Sequence, residues 1–382
     1  MALGAELMVV AGEASGDMHA ADLVRALQAK RPELRFFGMG GERLGKAGVE
    51  LLYGAHEVNV MGLTEVLPKI PRILRVLWGL GRAAKERRPA VAVLVDIPDF
   101  NLRLARKLKG LGIPVVYFIS PMIWAWRRGR VKTIAKRVNR MLCILPFEEA
   151  FYREAGVKAV YVGSPVVEQV PAPNDAEKFR TTLGLSLERP TLALLPGSRL
   201  SEVTRLLPDM VRTAELMKVE RPGLQVVVPV APTVPREMIL EAFASSSVRP
   251  ILIAGRAPEV VGASDAALVA SGTAVLEAGL MERPLVVVYR VSLITYWMGR
   301  LLLKVAHIAL VNLLANRRLV PELLQKEFSA ARAVEELQRM WSGRDRAEVV
   351  AGLHEVRRSL GPGGASSRAA DEVLEVLDGA VL

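Results

Sequence analysis

The chain has 382 residues, of which 51% are hydrophobic and 24% are charged, which is the composition of a globular protein with enough apolar material for two or three domains. Its single cysteine, Cys143, excludes an internal disulfide framework and a cysteine-based zinc site, and its apolar neighbours predict a buried structural thiol. The net charge of +11 is compatible with nucleic acid, an anionic membrane surface or phosphorylated substrates as partners.

The sequence predicts a cytosolic protein that meets a membrane at its surface only. Residues 7–11 are apolar but short and lack the basic leader of a signal peptide. The longest apolar region, 293–315, is a poor transmembrane span because Arg300, Lys304 and His307 interrupt it. With four histidines in the chain, a multi-histidine metal site is not expected. No cofactor is expected either.

Short runs of Val, Leu and Ile alternate with longer helical patterns, which is typical of α/β domains built on parallel sheets. In the first half, strands are predicted over 7–11, 35–38, 91–96, 115–119, 140–145 and 159–162. In the second half, they are predicted over 191–195, 225–229, 251–253, 266–270 and 284–289.

Closely spaced prolines between Pro165 and Pro173 predict an extended linker between two Rossmann-like domains. The predicted domains are residues 1–165 and 166–345, followed by a helical tail over 346–382 that can pack back on the first domain. Two such domains would face a central cleft at the carboxyl ends of their strands, where ligands bind in folds of this kind.

Acidic side chains follow two predicted strands of the first domain. Glu13 lies in the glycine loop 12–16, which fails the dinucleotide fingerprint; its carboxylate suits sugar hydroxyls, with a helix N-cap as the alternative. Asp17 is expected to be structural. Asp96 ends a very apolar strand, where it can act as a general base on an acceptor hydroxyl, with an Asx turn before Pro98 as the alternative.

Two further stretches of the first domain suit a lipid or a membrane. Trp124, Trp126 and Arg127 can stack on sugar or lipid and hold phosphate, although a core role for one tryptophan is equally open. Residues 68–88 have an amphipathic helical pattern. Its apolar residues include Ile70, Ile73, Leu74, Leu77 and Trp78, and its basic residues include Arg72 and Arg75. Such a helix can lie on an anionic membrane or simply pack on the sheet.

Two glycine turns in the second domain predict a nucleotide site. The strand 191–195 is followed by Gly197, Ser198 and Arg199. The arginine can make a bidentate contact with a diphosphate. The alternative is a plain strand–helix turn with a surface arginine. Ser271, Gly272 and Thr273 open a helix after the strand 266–270, where free N–H groups suit a phosphate. Glu277 shares a helix face with Thr273 and can accept from two ribose hydroxyls. Together, these turns indicate a nucleotide-sugar enzyme.

Seven motifs, in this order and spacing, resemble those of the lipid-A-disaccharide synthases over nearly the whole chain. They are AGEASGD (11–17), MGLTEVL (61–67), DIPDFN (96–101), SPMIWAW (120–126), LPGSR (195–199), SGTAVLE (271–277) and VNLLA (311–315).

The resemblance implies a GT-B glycosyltransferase that inverts the anomeric centre without a metal. The donor would be UDP-2,3-diacylglucosamine, the acceptor 2,3-diacylglucosamine 1-phosphate (lipid X), and the products lipid A disaccharide 1-phosphate and UDP. The protein would lie on the cytoplasmic face of the inner membrane, an anionic surface, without a nucleic-acid partner. A homodimer is left open.

The same resemblance implies roles for individual residues. Asp96 would take the proton from the acceptor's primary hydroxyl, Arg199 would bind the diphosphate and Glu277 the ribose. Asn312 matches a position needed for activity and is expected near the donor phosphates, while Glu13 matches an acid of the first loop.

Met61 and the segment 68–88 match a region expected to meet acyl chains and membrane. Ser164 stands where many relatives have histidine, so its loop offers no proton carrier.

Two alternatives remain at this stage. Another GT-B protein, such as a UDP-N-acetylglucosamine epimerase or a peptidoglycan glycosyltransferase, is disfavoured by the lipid-suited segments. A basic nucleic-acid- or membrane-binding module without catalysis is disfavoured by the strand-end carboxylates and the two phosphate turns.

Overall fold

The computed structural model describes residues 5–58, 63–173, 175–291 and 305–381, and for residues 63–68 and 380–381 it describes the backbone alone. The chain divides into two compact units, one formed by Met1–Pro165 with Pro362–Leu382 and the other by Val166–Gly361. Each unit contains one parallel sheet with helices packed against it. The prediction of a two-domain α/β fold is confirmed.

The strands of the first unit are β1 Glu6–Ala11, β2 Arg35–Gly40, β3 Glu50–Gly54, β4 Val91–Val95, β5 Val115–Phe118, β6 Arg140–Cys143 and β7 Ala159–Tyr161. They form one parallel sheet in the order β3-β2-β1-β4-β5-β6-β7. The helices before the linker are α1 Ala14–Lys30, α2 Glu42–Lys46, α3 Leu63–Arg87, α4 Pro98–Gly110, α5 Ile123–Trp126, α6 Val131–Arg137 and α7 Pro146–Glu154.

The central strands of this sheet are unbroken apolar runs. Every residue of β4 and β5 is buried, as expected of parallel strands covered by helices on both faces. Cys143 ends β6 as a buried free thiol, which confirms its predicted structural role. Because all seven strands are parallel, the turns after β1, β4 and β5 lie at the same edge of the sheet.

The strands of the second unit are β8 Thr191–Leu195, β9 Gln225–Val230, β10 Ile251–Ala254, β11 Ala266–Ala270, β12 Leu285–Tyr289 and β13 Glu322–Leu324. They are parallel and ordered β10-β9-β8-β11-β12-β13. The helices are α8 Val166–Gln169, α9 Ala176–Thr182, α10 Leu200–Glu220, α11 Arg236–Ala242, α12 Ala257–Gly262, α13 Thr273–Leu280, α14 Leu310–Ala315, α15 Ala330–Arg339 and α16 Gly343–Ser359.

The last helix, α17 (Ala365–Val381), belongs to the first unit and packs on α1. Ala369, Ala370 and Val373 are buried in the first unit's core. At its surface, Lys30 pairs with Asp371 at 2.6 Å and Arg31 with Asp378 at 3.0 Å. The prediction that the final helix packs back on the first domain is confirmed.

The tail expected as one piece, 346–382, is divided between the two units. Helix α16 packs on α13 and α14, so it belongs to the second unit. A Cβ at Gly352 would collide with Leu319, which shows how closely α16 lies against the segment before β13. The chain returns to the first unit only at Pro362.

The strands that the sequence failed to predict are both at sheet edges. β3 is largely exposed or half-buried, and β13 has three residues, so neither carries the long apolar run that marks a central strand. The predicted strands all occur, with ends that differ by one or two residues.

Candidate active site

A cavity of about 380 Å³ opens at the carboxyl edge of the second unit's sheet. Strand-end turns form its walls, and Glu202 and Glu277 project from the helices beside them. The predicted donor residues that line it are Gly197, Ser198, Ser271, Gly272, Thr273 and Glu277. The carboxyl edge of a parallel sheet is where α/β folds bind ligands, so the two glycine turns form one candidate site.

The turn after β8 exposes its backbone and carries a guanidinium at its rim. Gly197 has a φ of 107°, and a Cβ there would come within 2.8 Å of the Glu202 carboxylate, so the position requires glycine. Arg199 occupies the N-cap position of α10 and its side chain is 66% exposed. Its Nη1 donates to Glu202 Oε1 at 2.9 Å. Glu202, which lines the cavity and carried no predicted role, therefore holds Arg199 beside the cavity, although Arg199 is not itself a lining residue.

The turn after β11 leads directly into α13. Thr273 begins this helix and is exposed, whereas Glu277, one turn later, is half-buried. Burial raises the pKa of the Glu277 carboxyl. No residue in the described part of the chain donates a hydrogen bond to that carboxyl. A half-buried acceptor without a partner, facing a cavity, can receive hydroxyl groups from a ligand.

The expectation that Asn312 contacts donor phosphates is contradicted by its surroundings. Asn312 is fully buried in α14, and its Nδ2 donates to Val320 O at 2.9 Å and to Glu322 Oε1 at 2.7 Å. Its Oδ1 accepts from Val320 N at 2.9 Å. Because both ends of the amide are used inside the unit, Asn312 fixes the segment before β13 instead of presenting a group to a ligand.

In the first unit, Asp96 follows the last residue of β4 at the carboxyl edge of the sheet. Burial, with a smaller contribution from the negative charge of Glu13, raises the pKa of the Asp96 carboxyl to about 6. A carboxyl whose pKa lies near neutrality is suited to exchange protons with a substrate. The predicted pair of acids therefore lies together, with Asp96 the more buried of the two.

The two acids of the first loop have different roles. Glu13 occupies the N-cap position of α1, but its exposed side chain makes no capping hydrogen bond. Asp17 is buried and accepts from the backbone N–H groups of Gly41 at 2.6 Å, Arg43 at 3.1 Å and Leu44 at 3.3 Å. Asp17 is thus structural, as predicted, and it fixes the start of α2.

Trp124 was predicted to contact the acceptor or lipid directly. That prediction is wrong, because its side chain lies in the core. Trp124 is 6% exposed, meets Phe147 edge to face and donates from Nε1 to Glu148 Oε1 at 3.0 Å. Burial raises the pKa of the Glu148 carboxyl to about 7. The tryptophan at the surface is Trp126, with the Arg127 guanidinium 4.1 Å from its ring centre.

Helix α3 has two apolar stripes, and the predicted membrane contacts include residues of both. Leu77 is buried in the core and Ile73 packs against it, so these two residues are not membrane contacts. The exposed stripe consists of Ile70, Leu74 and Trp78, four residues apart, with Trp78 68% exposed. The helical repeat of 3.6 residues aligns positions four apart on one face, so this stripe faces away from the core.

Basic residues surround the exposed stripe of α3. Arg72 and Arg75 are exposed, and Arg72 pairs with Glu57 at 3.4 Å. The Lys107 ammonium of α4 lies 4.2 Å from the Trp78 ring centre. Met61, which was also predicted to meet lipid, lies outside the described residues.

The region from β4 to α7 also carries a charge bias that the predictions overlooked. Residues 100–147 contain eleven Lys and Arg and no Asp or Glu, so this segment has a net charge of +11. The net charge of the whole chain has the same value. Helix α4 lies in this region and packs against α3. The bias was detectable by counting charges segment by segment instead of over the whole chain.

Neither a membrane span nor a metal cluster is found among the residues described. There, no helix combines the length and apolar character needed to cross a bilayer. No three His, Cys, Asp or Glu side chains converge as metal ligands would in that same part of the chain.

Two parallel-sheet units, with a cavity at the strand ends of one and a half-buried carboxyl at a strand end of the other, give the chain the fold of the GT-B class. The particular family follows from the sequence. The family model described as lipid-A-disaccharide synthetase matches residues 7–371, and the chain belongs to that family. The protein is a glycosyltransferase of the step that forms the lipid A disaccharide.

Curated relatives agree with this assignment over the full length. The chain is 69% identical to the lipid-A-disaccharide synthase of Myxococcus xanthus (strain DK1622) over 372 residues, which are 97% of each chain. It is 56% identical to the lipid-A-disaccharide synthase of Anaeromyxobacter dehalogenans (strain 2CP-1), again over 97% of each chain.

Solved structures at low sequence identity share the fold. A structure of S. aureus MnaA with UDP matches 98% of this chain and 97% of its own, with a TM-score of 0.65 at 12% identity. CalG4, the calicheamicin glycosyltransferase, matches 98% of both chains with a TM-score of 0.62 at 16% identity.

Proposed function

We propose that the protein transfers the sugar of UDP-2,3-diacylglucosamine to the primary hydroxyl of lipid X, giving lipid A disaccharide 1-phosphate and UDP. The observation that carries this proposal is the division of chemistry between the units. The second unit has an open cavity with unpartnered polar groups, and the first has a half-buried carboxyl of raised pKa at a strand end.

The cavity of the second unit is proposed to bind the UDP part of the donor. The free N–H groups at the start of α13 and the hydroxyls of Ser271 and Thr273 suit a phosphate. The Arg199 guanidinium can turn from Glu202 to the diphosphate and neutralise it, because the arginine side chain is 66% exposed although Glu202 is 16% exposed. The half-buried carboxylate of Glu277 suits the two ribose hydroxyls.

Asp96 is proposed to be the general base. Its carboxylate would accept the proton of the acceptor hydroxyl as that oxygen bonds to the anomeric carbon. The bond from that carbon to the diphosphate breaks at the same time, and UDP leaves with the bonding electrons. Attack from the face opposite UDP inverts the anomeric centre. General-base catalysis of this kind contributes about 10²- to 10⁴-fold to a rate.

The exposed stripe of α3, formed by Ile70, Leu74 and Trp78, is proposed to enter the surface of an anionic membrane. Trp78 suits the interface between acyl chains and headgroups, and Arg72 and Arg75 suit the headgroups. Both lipid substrates would be reached from that surface. A location on the cytoplasmic face of the inner membrane is part of the same proposal.

The reaction is tested by measuring UDP release from defined lipids in detergent. We expect release when UDP-2,3-diacylglucosamine and lipid X are both present, and none above hydrolysis when either is omitted. Absence of UDP release from the complete pair would contradict the proposed substrates.

Membrane contact is tested by sedimentation with vesicles that contain phosphatidylglycerol. Changing Arg72 and Arg75 to Glu should reduce binding strongly, because each basic residue near an anionic surface contributes about 1 kcal/mol. The matched control changes Arg344 and Arg358 of α16, which are also exposed, to Glu. Equal losses in both double variants would indicate a nonspecific charge effect and contradict the assignment to α3.

A further inference from the structure

The backbone that carries Asp96 has an unusual conformation. Asp96 has a φ of 53° and Ile97 a φ of 36°, so two consecutive residues lie in the left-handed region. Residues other than glycine are uncommon there, and a β-branched residue such as Ile97 is a marked outlier. A conformation of this kind persists only where the surrounding structure holds it.

Two buried side chains from different elements hold this turn. Asn101, in the first turns of α4, donates from Nδ2 to Val95 O at 3.0 Å and to Asp96 O at 2.8 Å. The Tyr117 hydroxyl, on β5, donates to the same Asp96 oxygen. Asn101 and Tyr117 are both fully buried.

The outer side of the turn is fixed by close packing. Ile97 occupies the N-cap position of α4, and a Cβ at Gly12 would collide with its side chain. The Asp96 N–H donates to Phe118 O at 3.3 Å, which ties the turn to the end of β5. The turn is therefore held by contacts with β5, with α4 and with the loop that follows β1.

All of these hydrogen bonds act on the backbone, and the Asp96 carboxylate itself accepts one backbone hydrogen bond, from Ile97, which lowers its pKa slightly against the effect of burial. Asn101 and Tyr117 both donate to the main-chain oxygen of Asp96, and neither hydrogen bond ends on its side chain. In the described residues, the neighbouring ionisable groups are Glu13 from the first loop, Tyr117 beneath the turn, and the exposed pair of Asp99 with Arg130. The backbone contacts therefore fix the orientation of the Asp96 carboxylate, which remains available to a substrate.

We propose that Asn101 and Tyr117 are positioning residues of the transfer reaction, which lock the left-handed turn and so hold the Asp96 carboxylate in its reactive orientation. The inference rests on the proposed role of Asp96 as base. It differs from a purely structural role in what it predicts. Structural residues would affect stability alone, whereas positioning residues change turnover at unchanged substrate affinity.

The test is Tyr117→Phe, which removes one hydroxyl and keeps the ring in the core. We expect kcat to fall about tenfold, because small errors in the position of a reacting group are costly in rate. The KM values and the affinity for UDP should remain within about twofold, since the UDP site lies in the other unit. The acid limb of the pH profile of kcat should move to lower pH, because a loosened turn admits water to the carboxyl and lowers its pKa.

Ser264→Ala is the matched control for the loss of a buried hydroxyl. Its Oγ donates to Val260 O at 2.7 Å in the second unit, away from the proposed base. This variant should keep the kcat and the pH profile of the wild type even if it unfolds at a lower temperature. Asn101→Ala is the second variant, and it should repeat the changes of Tyr117→Phe in a more severe form.

Asp96→Asn separates the failure of this inference from the failure of the proposed base. If Asp96→Asn is inactive while Tyr117→Phe keeps the wild-type kcat and pH profile, positioning by Tyr117 is overturned and the base stands. If Asp96→Asn keeps near wild-type turnover, the base assignment falls and the inference falls with it. Thermal unfolding of each variant reports whether the first unit has folded, because UDP affinity reports on the second unit alone.

Discussion

The turn after β4 in the first unit and the turns after β8 and β11 in the second follow the same kind of element, a buried parallel strand, yet they are built in opposite ways. In the turn after β4, buried side chains bind the backbone: Asn101 and Tyr117 donate hydrogen bonds to it, and two of its residues are held at positive φ. The turns after β8 and β11 are exposed to solvent. They contain Gly197 and Gly272, and their hydroxyl groups and the Arg199 side chain are exposed.

This difference teaches how the two halves of the reaction are divided. A group that transfers a proton has to be placed in advance, so its turn is rigid and internally bonded. A turn that receives a diphosphate has to leave its donors unsatisfied until the ligand arrives. On the roles we propose, burial marks the catalytic half, and unpartnered polar groups mark the binding half.

The largest effect on the open turns is expected from Arg199→Ala. UDP binding should weaken roughly 10- to 100-fold, because hydrogen bonds to charged groups are worth about 1.5–3 kcal/mol. Isothermal titration with UDP measures the change. Arg212→Ala is the matched control, since Arg212 lies on the same helix and forms a 2.9 Å ion pair with Glu215, also three residues on. Equal losses in the two variants would contradict a specific role for Arg199.

A smaller effect is expected from Glu277→Gln. The amide keeps one acceptor oxygen but loses the charge, so UDP affinity should fall about tenfold, as for one charge-assisted hydrogen bond. The wild-type protein should also bind 2′-deoxy-UDP more weakly than UDP, and the variant should discriminate less between the two. Discrimination that stays unchanged in the variant would place the ribose elsewhere.

The smallest effect is a shift in pH dependence on Glu13→Gln. Asp96 has to be deprotonated to act as a base, so kcat should fall as the pH drops through its pKa of about 6. Burial is the larger cause of that raised pKa, and the charge of Glu13 adds to it. Removing this charge should lower the pKa and extend activity to lower pH.

Asp22→Asn, on the exposed surface of α1, serves as the control for loss of an acid. An acid limb that does not move in Glu13→Gln, or that moves equally in Asp22→Asn, would argue against coupling between Glu13 and Asp96.

The sequence was sufficient to predict the features that depend on runs and spacing. The buried strands, the two glycine turns and the carboxyl at the end of β4 all follow from local patterns of apolar and special residues. The edge strands β3 and β13 were missed because an edge strand need not be apolar on both faces.

Features that depend on which side of an element faces the core were harder to predict. Leu77 and Leu74 both fit the apolar spacing of α3, but only packing shows that Leu77 is inside. Trp124 and Asn312 are buried by partners distant along the chain, Glu148 and Glu322, which no local pattern reveals. The positive φ of Asp96 is likewise produced by tertiary contacts.

The most direct test of the account is a calorimetric titration of Asp96→Asn with UDP, on the same sample whose turnover is measured. We expect an unchanged Kd for UDP together with a loss of about 10²- to 10⁴-fold in kcat, since a general base contributes that much. Turnover near the wild-type level, or a loss of UDP affinity that parallels the loss of turnover, would contradict the division of base and nucleotide site between the two units.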